Sequence, residues 1–121
     1  MLVLQIDMPA EYSVDDRYSS STLDEDDLSK ITEALGEPPL FVVYWYGIGC
    51  YEGAGHMLFS TDGMRWHEMY LGHCSCNGPT DNYNYCPPQT LQDLEARYTE
   101  EAHRDVKPLF EAIRSHNWSK S

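Results

Sequence analysis

The clearest repeat of apolar residues along the chain is helical and lies near the N-terminus. Its apolar face consists of Leu28, Ile31, Ala34 and Leu35. Thr22 and Glu25 are three residues apart and fit a capping box, in which two side chains accept the free N–H groups at a helix start. Gly36 and the two prolines that soon follow it end the pattern. We therefore predict a helix over about residues 23–35.

The middle of the chain has the patterns of β-strands. Residues 40–47 are β-branched and aromatic, which predicts a strand buried on both faces. Residues 56–60 and 65–71 predict two further strands, joined by Asp62-Gly63, a signal for a two-residue type I′ turn. Residues 2–6 predict a short strand, but the pattern leaves its place in a sheet open. The three central strands predict an antiparallel β-meander.

Helical spacing returns after residue 90. Thr90 and Asp93 begin one helix, and a second helix begins near Thr99. The apolar stripe of the second helix consists of Ala102, Val106, Leu109, Phe110 and Ile113. Pro108 lies within that stripe and predicts a kink or a fresh helix start.

Taken together, these patterns predict one α+β domain over residues 1–121. We expect a three-stranded antiparallel β-meander packed with an acidic N-terminal helix and C-terminal helices, and a loop held by zinc. The predicted parts are an acidic N-terminal segment and helix (1–37), the β-meander and metal loop (40–89) and the C-terminal helices (90–117).

Charge is distributed unevenly along the chain. The net charge is −12, from 20 acidic and eight basic residues, and ten of the acids lie within residues 1–37. Phosphates of nucleic acids and anionic membranes repel such a chain, so we expect it to bind neither directly. The same field attracts basic protein surfaces, although acidity can also serve solubility alone. The candidate partner-binding residues are Asp24, Glu25, Asp26, Asp27 and Glu33.

Four cysteines carry the candidate chemistry: Cys50, Cys74, Cys76 and Cys86. No apolar stretch approaches the roughly 18–20 residues of a membrane span. The N-terminus also lacks the basic and apolar regions of a signal peptide. We therefore expect a cytoplasmic protein, in which clustered cysteines indicate a metal more than disulfides.

The predicted hairpin register brings three of these cysteines together. If Asp62-Gly63 is the two-residue turn, His73 faces Glu52 and Ser75 faces Cys50. The predicted ligands of a structural Zn²⁺ are Cys50, His73, Cys74 and Cys76, with Cys86 as the rival fourth ligand and Glu52 as a weaker candidate. The alternatives are reduced thiols without a metal, or a Cys74–Cys76 or Cys50–Cys86 disulfide.

Other side chains with possible chemistry have simpler interpretations. His56 and His67 are expected on the surface of strands, and His103 and His116 on exposed parts of helices. Trp45, Trp66 and Tyr70 are expected in the core or on a sheet face. An enzyme is not expected, although Glu52 opposite His73 would suit a small metal-dependent one.

Two segments resemble a loose group of small, uncharacterised phage and prophage proteins. The matching residues are Tyr51-Glu52-Gly53-Ala54-Gly55 and His73-Cys74-Ser75-Cys76-Asn77-Gly78, within a resemblance that spans roughly residues 44–80. Not all members of the group have cysteines at positions 50 and 86, which favours His73 and Glu52 as ligands. The resemblance implies a phage or mobile-element origin and no particular activity.

Small, acidic phage proteins without enzymatic activity are frequently inhibitors of host systems, and anti-CRISPR proteins are the best-known class. We therefore expect an inhibitor that acts in the host cytoplasm. It would bind the basic, nucleic-acid-binding surface of a host defence protein, such as a CRISPR effector. The alternatives are the small metal-dependent enzyme and a phage accessory protein without an inhibitory role.

Overall fold

The computed structural model describes residues 2–9, 19–49, 52–71, 73–74 and 87–115. In chain order its elements are strands β1 (Leu2–Gln5) and β2 (Ser19–Ser20), helix α1 (Glu25–Leu35), strands β3 (Phe41–Ile48), β4 (Glu52–Ser60), β5 (His67–Tyr70) and β6 (His73–Cys74), and helices α2 (Leu91–Ala96) and α3 (Glu100–Ser115). The predicted α+β class is confirmed.

The strands form one mixed sheet in the order β1-β3-β4-β5. Strand β1 is parallel to β3, whereas β3, β4 and β5 are successively antiparallel. The short β2 pairs with the end of β3 beyond β1, and β6 pairs with the start of β4 beyond β5. The predicted three-stranded antiparallel meander is therefore wrong. Because α1 lies between β1 and β3 in the chain, it supplies the long crossover that a parallel pair needs.

Helices cover both faces of this sheet, which gives three layers. The layer between α1 and the sheet contains Leu23, Ile31, Val42, Tyr44, Tyr46, Met57, Phe59, Met69 and Leu71. The layer between the sheet and α2 and α3 contains Val43, Trp45, Ala54, Leu58, Trp66, Leu94, Val106, Leu109, Phe110 and Ile113. Residues 42–47 are all buried, which confirms the prediction of a strand buried on both faces.

The β4–β5 hairpin forms as predicted, but its register differs by one residue. Phe59 pairs with His67, and His56 pairs with Tyr70. A two-residue turn at Asp62-Gly63 would instead have placed His56 opposite Met69. Because neighbouring residues of a strand face opposite sides of the sheet, this shift exchanges the faces on which the β5 side chains lie.

The longer loop between β4 and β5 explains the shift. The Asp62 carboxylate accepts the backbone N–H groups of Met64 (2.8 Å) and Arg65 (2.9 Å). The Ser60 hydroxyl accepts the N–H of Gly63 at 2.8 Å and donates to the Arg65 carbonyl at 2.6 Å. The bonds from the Arg65 and Met64 amides, of which the Arg65 bond has the larger effect, hold the pKa of Asp62 below its ordinary value. The side chains of Ser60 and Asp62 thus stabilise a wider loop than Asp-Gly alone predicts.

The predicted interruption at Pro108 does not divide the last helix. Helix α3 is continuous from Glu100 to Ser115 with Pro108 inside it, so the predicted fresh start is wrong. Val106, Leu109, Phe110 and Ile113 are buried on this helix, as the apolar stripe predicts, whereas Ala102 of the same stripe is exposed. Apolar packing along that stripe on both sides of the proline offsets the loss of the helical hydrogen bond that the proline cannot donate.

Candidate functional site

The N-terminus of α1 is built by two aspartates that bond each other's backbone. Asp24 is the N-cap, and its carboxylate accepts the N–H of Asp27 at 2.8 Å. The Asp27 carboxylate accepts the N–H of Asp24 at 3.2 Å. The capping box is therefore real but lies two residues later than the predicted Thr22/Glu25 pair. Since aspartate is at least as good an N-cap as threonine, Asp24 takes the role and the helix begins at Glu25.

The five predicted partner-binding acids consequently divide into two groups. Asp24 and Asp27 serve the cap, while Glu25, Asp26 and Glu33 are exposed on α1. Burial raises the pKa of Asp27, and the nearby charge of Asp24 acts in the same direction. The cap holds two negative charges close together, which the positive end of the helix dipole helps to stabilise.

Tyr44 of β3 bonds the chain just before α1 to the sheet, and Tyr46 of β3 is buried in the same layer. The Tyr44 hydroxyl accepts the buried N–H of Leu23 at 3.0 Å and donates to the Gln5 side-chain oxygen at 3.3 Å. Burial, and to a smaller extent the negative charge of Asp27, raises the pKa of Tyr46 to about 12. The start of α1 is thereby tied to both β3 and β1, so its exposed acids project from a fixed support.

The predicted metal corner lies only partly within the described residues. Glu52 belongs to β4, and His73 and Cys74 form β6. Glu52 pairs with Cys74, and His73 pairs with Gly53. The predicted pairing of His73 with Glu52 is wrong for the same reason as the rest of the hairpin register. Cys50, Cys76 and Cys86 lie outside the described residues, and within those residues no group of three or more potential metal ligands occurs.

The histidines lie deeper than the sequence predicts. His67 is buried, with its ring stacked on Phe59 at a centroid distance of 5.1 Å. The ring of His56 lies 5.8 Å from that of Trp45 and 5.1 Å from that of Tyr70, and burial lowers its pKa. Trp45 and Trp66 are core residues, as expected, whereas Tyr70 is 60% exposed on the sheet. His116 lies outside the described residues.

An ionic link joins α2 to α3. The Glu95 carboxylate forms hydrogen bonds with His103 Nε2 at 2.6 Å and with Arg114 Nη2 at 2.6 Å. Both bonds lower the pKa of Glu95, and the bond from Arg114 has the larger effect. His103 is thus half-buried and bonded rather than simply exposed on the helix. Because a helix of six residues is not stable by itself, these contacts help to stabilise α2.

Sequence reasoning missed a polar contact between β5 and the α2–α3 corner. The Tyr98 hydroxyl donates to the Glu68 carboxylate, and the Tyr98 ring packs edge-on against Phe110 at 6.1 Å. Burial raises the pKa of Glu68, and the positive charge of Arg97 opposes that shift. Because the hairpin register differs by one residue from the predicted one, the sequence pattern alone does not place Glu68 on the side of the sheet where it meets Tyr98.

We predict that Glu68→Gln gains stability relative to the unmodified protein as pH rises from about 4 to 7. A raised pKa means that the folded state holds the Glu68 proton more tightly than the unfolded state. Its stabilising contribution is therefore complete below the ordinary value of 4.5 and is lost as pH rises through the folded-state pKa. Glutamine keeps an acceptor for Tyr98 without that charge. Urea unfolding at several pH values measures the difference.

Tyr98→Phe serves as the control for this prediction, since it removes the hydrogen bond and leaves the Glu68 carboxylate in place. It should weaken the fold at neutral pH, where Glu68→Gln does not. A stability difference between Glu68→Gln and the unmodified protein that stays constant with pH would contradict the assignment.

Comparisons with protein families, with curated proteins and with solved structures found no match to this chain. In the part of the chain that the structure describes, no helix is both long and apolar enough to cross a membrane.

Proposed function

We propose that this protein is a phage-type acidic inhibitor that binds the basic, nucleic-acid-binding surface of a host defence protein, in the manner of an anti-CRISPR protein. The observation that carries the proposal is the exposed acidic side of α1, on a helix that is fixed to the sheet. Glu25, Asp26 and Glu33 are exposed there. A fixed array of carboxylates can occupy a groove that normally takes the phosphates of a nucleic acid, because both present negative charge at spaced positions.

Two of the five candidate acids serve the helix cap, so the proposed contact surface is reduced to the other three. Asp24 and Asp27 bond each other's backbone, so replacing them would damage the helix start as well as the charge. Glu25, Asp26 and Glu33 make no such contribution to the cap and form the proposed contact. Lys30 is the basic residue of α1, and its charge lies among the acids. Because the proposed contact comprises three carboxylates at separate positions, the expected partner presents several basic residues rather than a single one.

Reversing the three contact charges tests the proposal. We expect Glu25→Lys/Asp26→Lys/Glu33→Lys to keep its circular dichroism spectrum and to bind the host target at least about tenfold more weakly. The target is captured from host lysate with the unmodified protein, purified and titrated by calorimetry. Binding of the unmodified protein should also weaken as salt rises, because salt screens exposed charges.

The matched control reverses three exposed acids on the opposite layer. Glu100, Glu101 and Glu111 are exposed on α3, so Glu100→Lys/Glu101→Lys/Glu111→Lys changes the net charge equally and also alters a first helical turn. The proposal expects this control to bind almost normally. Equal losses in both variants would assign the effect to net charge alone, and no loss in the α1 variant would overturn the proposal.

We also propose that a structural Zn²⁺ fastens the β4–β6 corner. The pairing of Glu52 with Cys74 supports this, because it brings two of the candidate ligand residues opposite each other where β4 begins. The proposed ligands are Cys50, Cys74 and Cys76, with Glu52 or Cys86 as the fourth. His73 becomes the weaker candidate, because it pairs with Gly53 and not with Glu52. Zinc supplies cross-linking here and no reaction step.

A further inference from the structure

Strand β1 forms one edge of the sheet. Among the described residues, its only strand partner is β3, to which it is parallel from Leu2 to Gln5. The Leu2 N–H donates to the Leu40 carbonyl at 2.8 Å, and the Ile6 N–H donates to the Tyr44 carbonyl at 2.8 Å. Because alternate residues of a strand direct their backbone groups to the same side, Val3 and Gln5 direct theirs away from β3. With respect to the described part of the chain, the outer edge therefore offers the backbone donors and acceptors of two residues.

Within its own sequence, β1 carries none of the residues that usually protect an edge strand against strand addition. Natural edge strands are blocked by lysines, prolines, bulges or inward-pointing charges, and Leu2-Val3-Leu4-Gln5 contains no charged residue and no proline. Leu2 and Val3 are 36% and 39% exposed. The edge is thus uncharged and partly apolar in a chain of net charge −12.

Negative charge flanks the same edge. Asp7 is exposed two residues after β1. The Gln5 side chain donates to the Ser21 carbonyl at 2.9 Å and accepts from the Thr22 hydroxyl at 3.0 Å. Thr22 is two residues before Asp24, the cap of α1. These bonds hold the acidic start of α1 beside the C-terminal end of β1.

We propose that the edge of β1 accepts an extended, basic segment of the partner protein by strand addition. Backbone bonds to Val3 and Gln5 would supply the pairing, and lysines or arginines of the segment would face Asp7 and the start of α1. A second copy of this chain is a poorer occupant, because two chains of charge −12 repel each other. The inference rests on the proposed function in taking the partner to be basic, and it adds the way in which that partner docks.

Binding of a designed peptide to two variants of Val3 tests the proposal. The probe is a fluorescein-labelled peptide of about nine residues in which lysine alternates with valine, titrated by anisotropy against the full chain. We expect saturable binding that is at least about tenfold weaker for Val3→Pro than for Val3→Ala. Proline removes the outward N–H, and an edge strand tolerates it there, whereas alanine keeps the N–H and removes most of the side chain. Circular dichroism and urea unfolding confirm that both variants fold.

Three results would overturn the proposal. Equal binding by Val3→Pro and Val3→Ala would exclude pairing through this amide. Equal binding of a peptide in which glutamate replaces lysine would exclude selection by charge. Slow hydrogen exchange of the Val3 amide in the free protein, with light scattering to distinguish monomer from dimer, would show that the chain itself or a second copy already covers the edge.

The same variants separate this inference from the proposed function. If Val3→Pro still binds the captured host target and the α1 charge reversal does not, the docking mode fails while the inhibitor proposal stands. If Val3→Pro loses the peptide and neither variant affects the host target, the edge accepts a basic strand, but the docking mode for that target and the inhibitor proposal both fail.

Discussion

Replacing Gly55 with alanine is expected to lower the free energy of unfolding by about 3 kcal/mol or more. Gly55 lies in β4, and a Cβ atom built there would come within 2.4 Å of the Trp45 carbonyl oxygen and 3.1 Å of the Tyr46 Cα. Both obstacles are backbone atoms of the neighbouring central strand, which no rotamer change can remove. The added methyl group must therefore push β3 and β4 apart, and those strands carry both apolar layers. Urea unfolding monitored by tryptophan fluorescence measures the loss.

Gly36→Ala provides the control for Gly55→Ala. Gly36 has φ of 82°, but nothing lies within 4 Å of an added Cβ. Its replacement therefore costs only the strain of a left-handed conformation, about 1 kcal/mol. If the two alanine variants lose equal stability, the close approach of β3 to β4 at Gly55 is not a constraint on the fold.

Removing the proposed zinc is expected to produce the second large effect. Purified protein should contain about one zinc per chain by native mass spectrometry. A metal bound only by the folded state stabilises it by about 4 kcal/mol when free metal exceeds the dissociation constant about 1,000-fold. A strong chelator should remove that stability, and added Zn²⁺ should restore it. Cys74→Ser should abolish both the bound zinc and the effect of the chelator.

His73→Ala separates the two possible ligand sets. The cross-strand pairing predicts that it keeps its zinc, because Cys74 and not His73 is paired with Glu52. Loss of zinc in His73→Ala would restore the ligand set that the sequence alone suggests. Protein purified without zinc and unaffected by Zn²⁺ would leave the cysteines as reduced thiols or disulfides.

Local signals in the sequence predicted the elements of this fold well, and long-range relations poorly. Leu28 and Ile31 mark the core side of α1, and the buried run in β3 is evident from its residue types alone. The parallel pairing of β1 was not predictable in this way, because Leu2-Val3-Leu4 carries no mark of direction or neighbour. Pairing of β1 depends on the α1 crossover and on the Tyr44 hydroxyl, which joins Gln5 to Leu23 in three dimensions.

The error in the hairpin register shows how one side chain can redirect a site prediction. Asp62-Gly63 is a signal for a tight turn, but the Asp62 carboxylate instead binds the amides of Met64 and Arg65. The resulting one-residue shift placed Cys74 rather than His73 opposite Glu52, and it placed Glu68 where it meets Tyr98. Backbone patterns identify strands, whereas the side-chain bonds within a loop determine which residues face each other.

Parallel pairing of β1 with β3 also determines when the N-terminal third can finish folding. During synthesis, β1 is made before Val42 and Tyr44, which are among its partners in the sheet. The β3–β4–β5 segment pairs with near neighbours in sequence, whereas Gln5 must find a residue 39 positions away. Closure of so long a loop is slow compared with hairpin formation. Until that closure Leu2-Val3-Leu4 has no strand partner, and the mutual repulsion of chains with a net charge of −12 disfavours aggregation through this apolar segment.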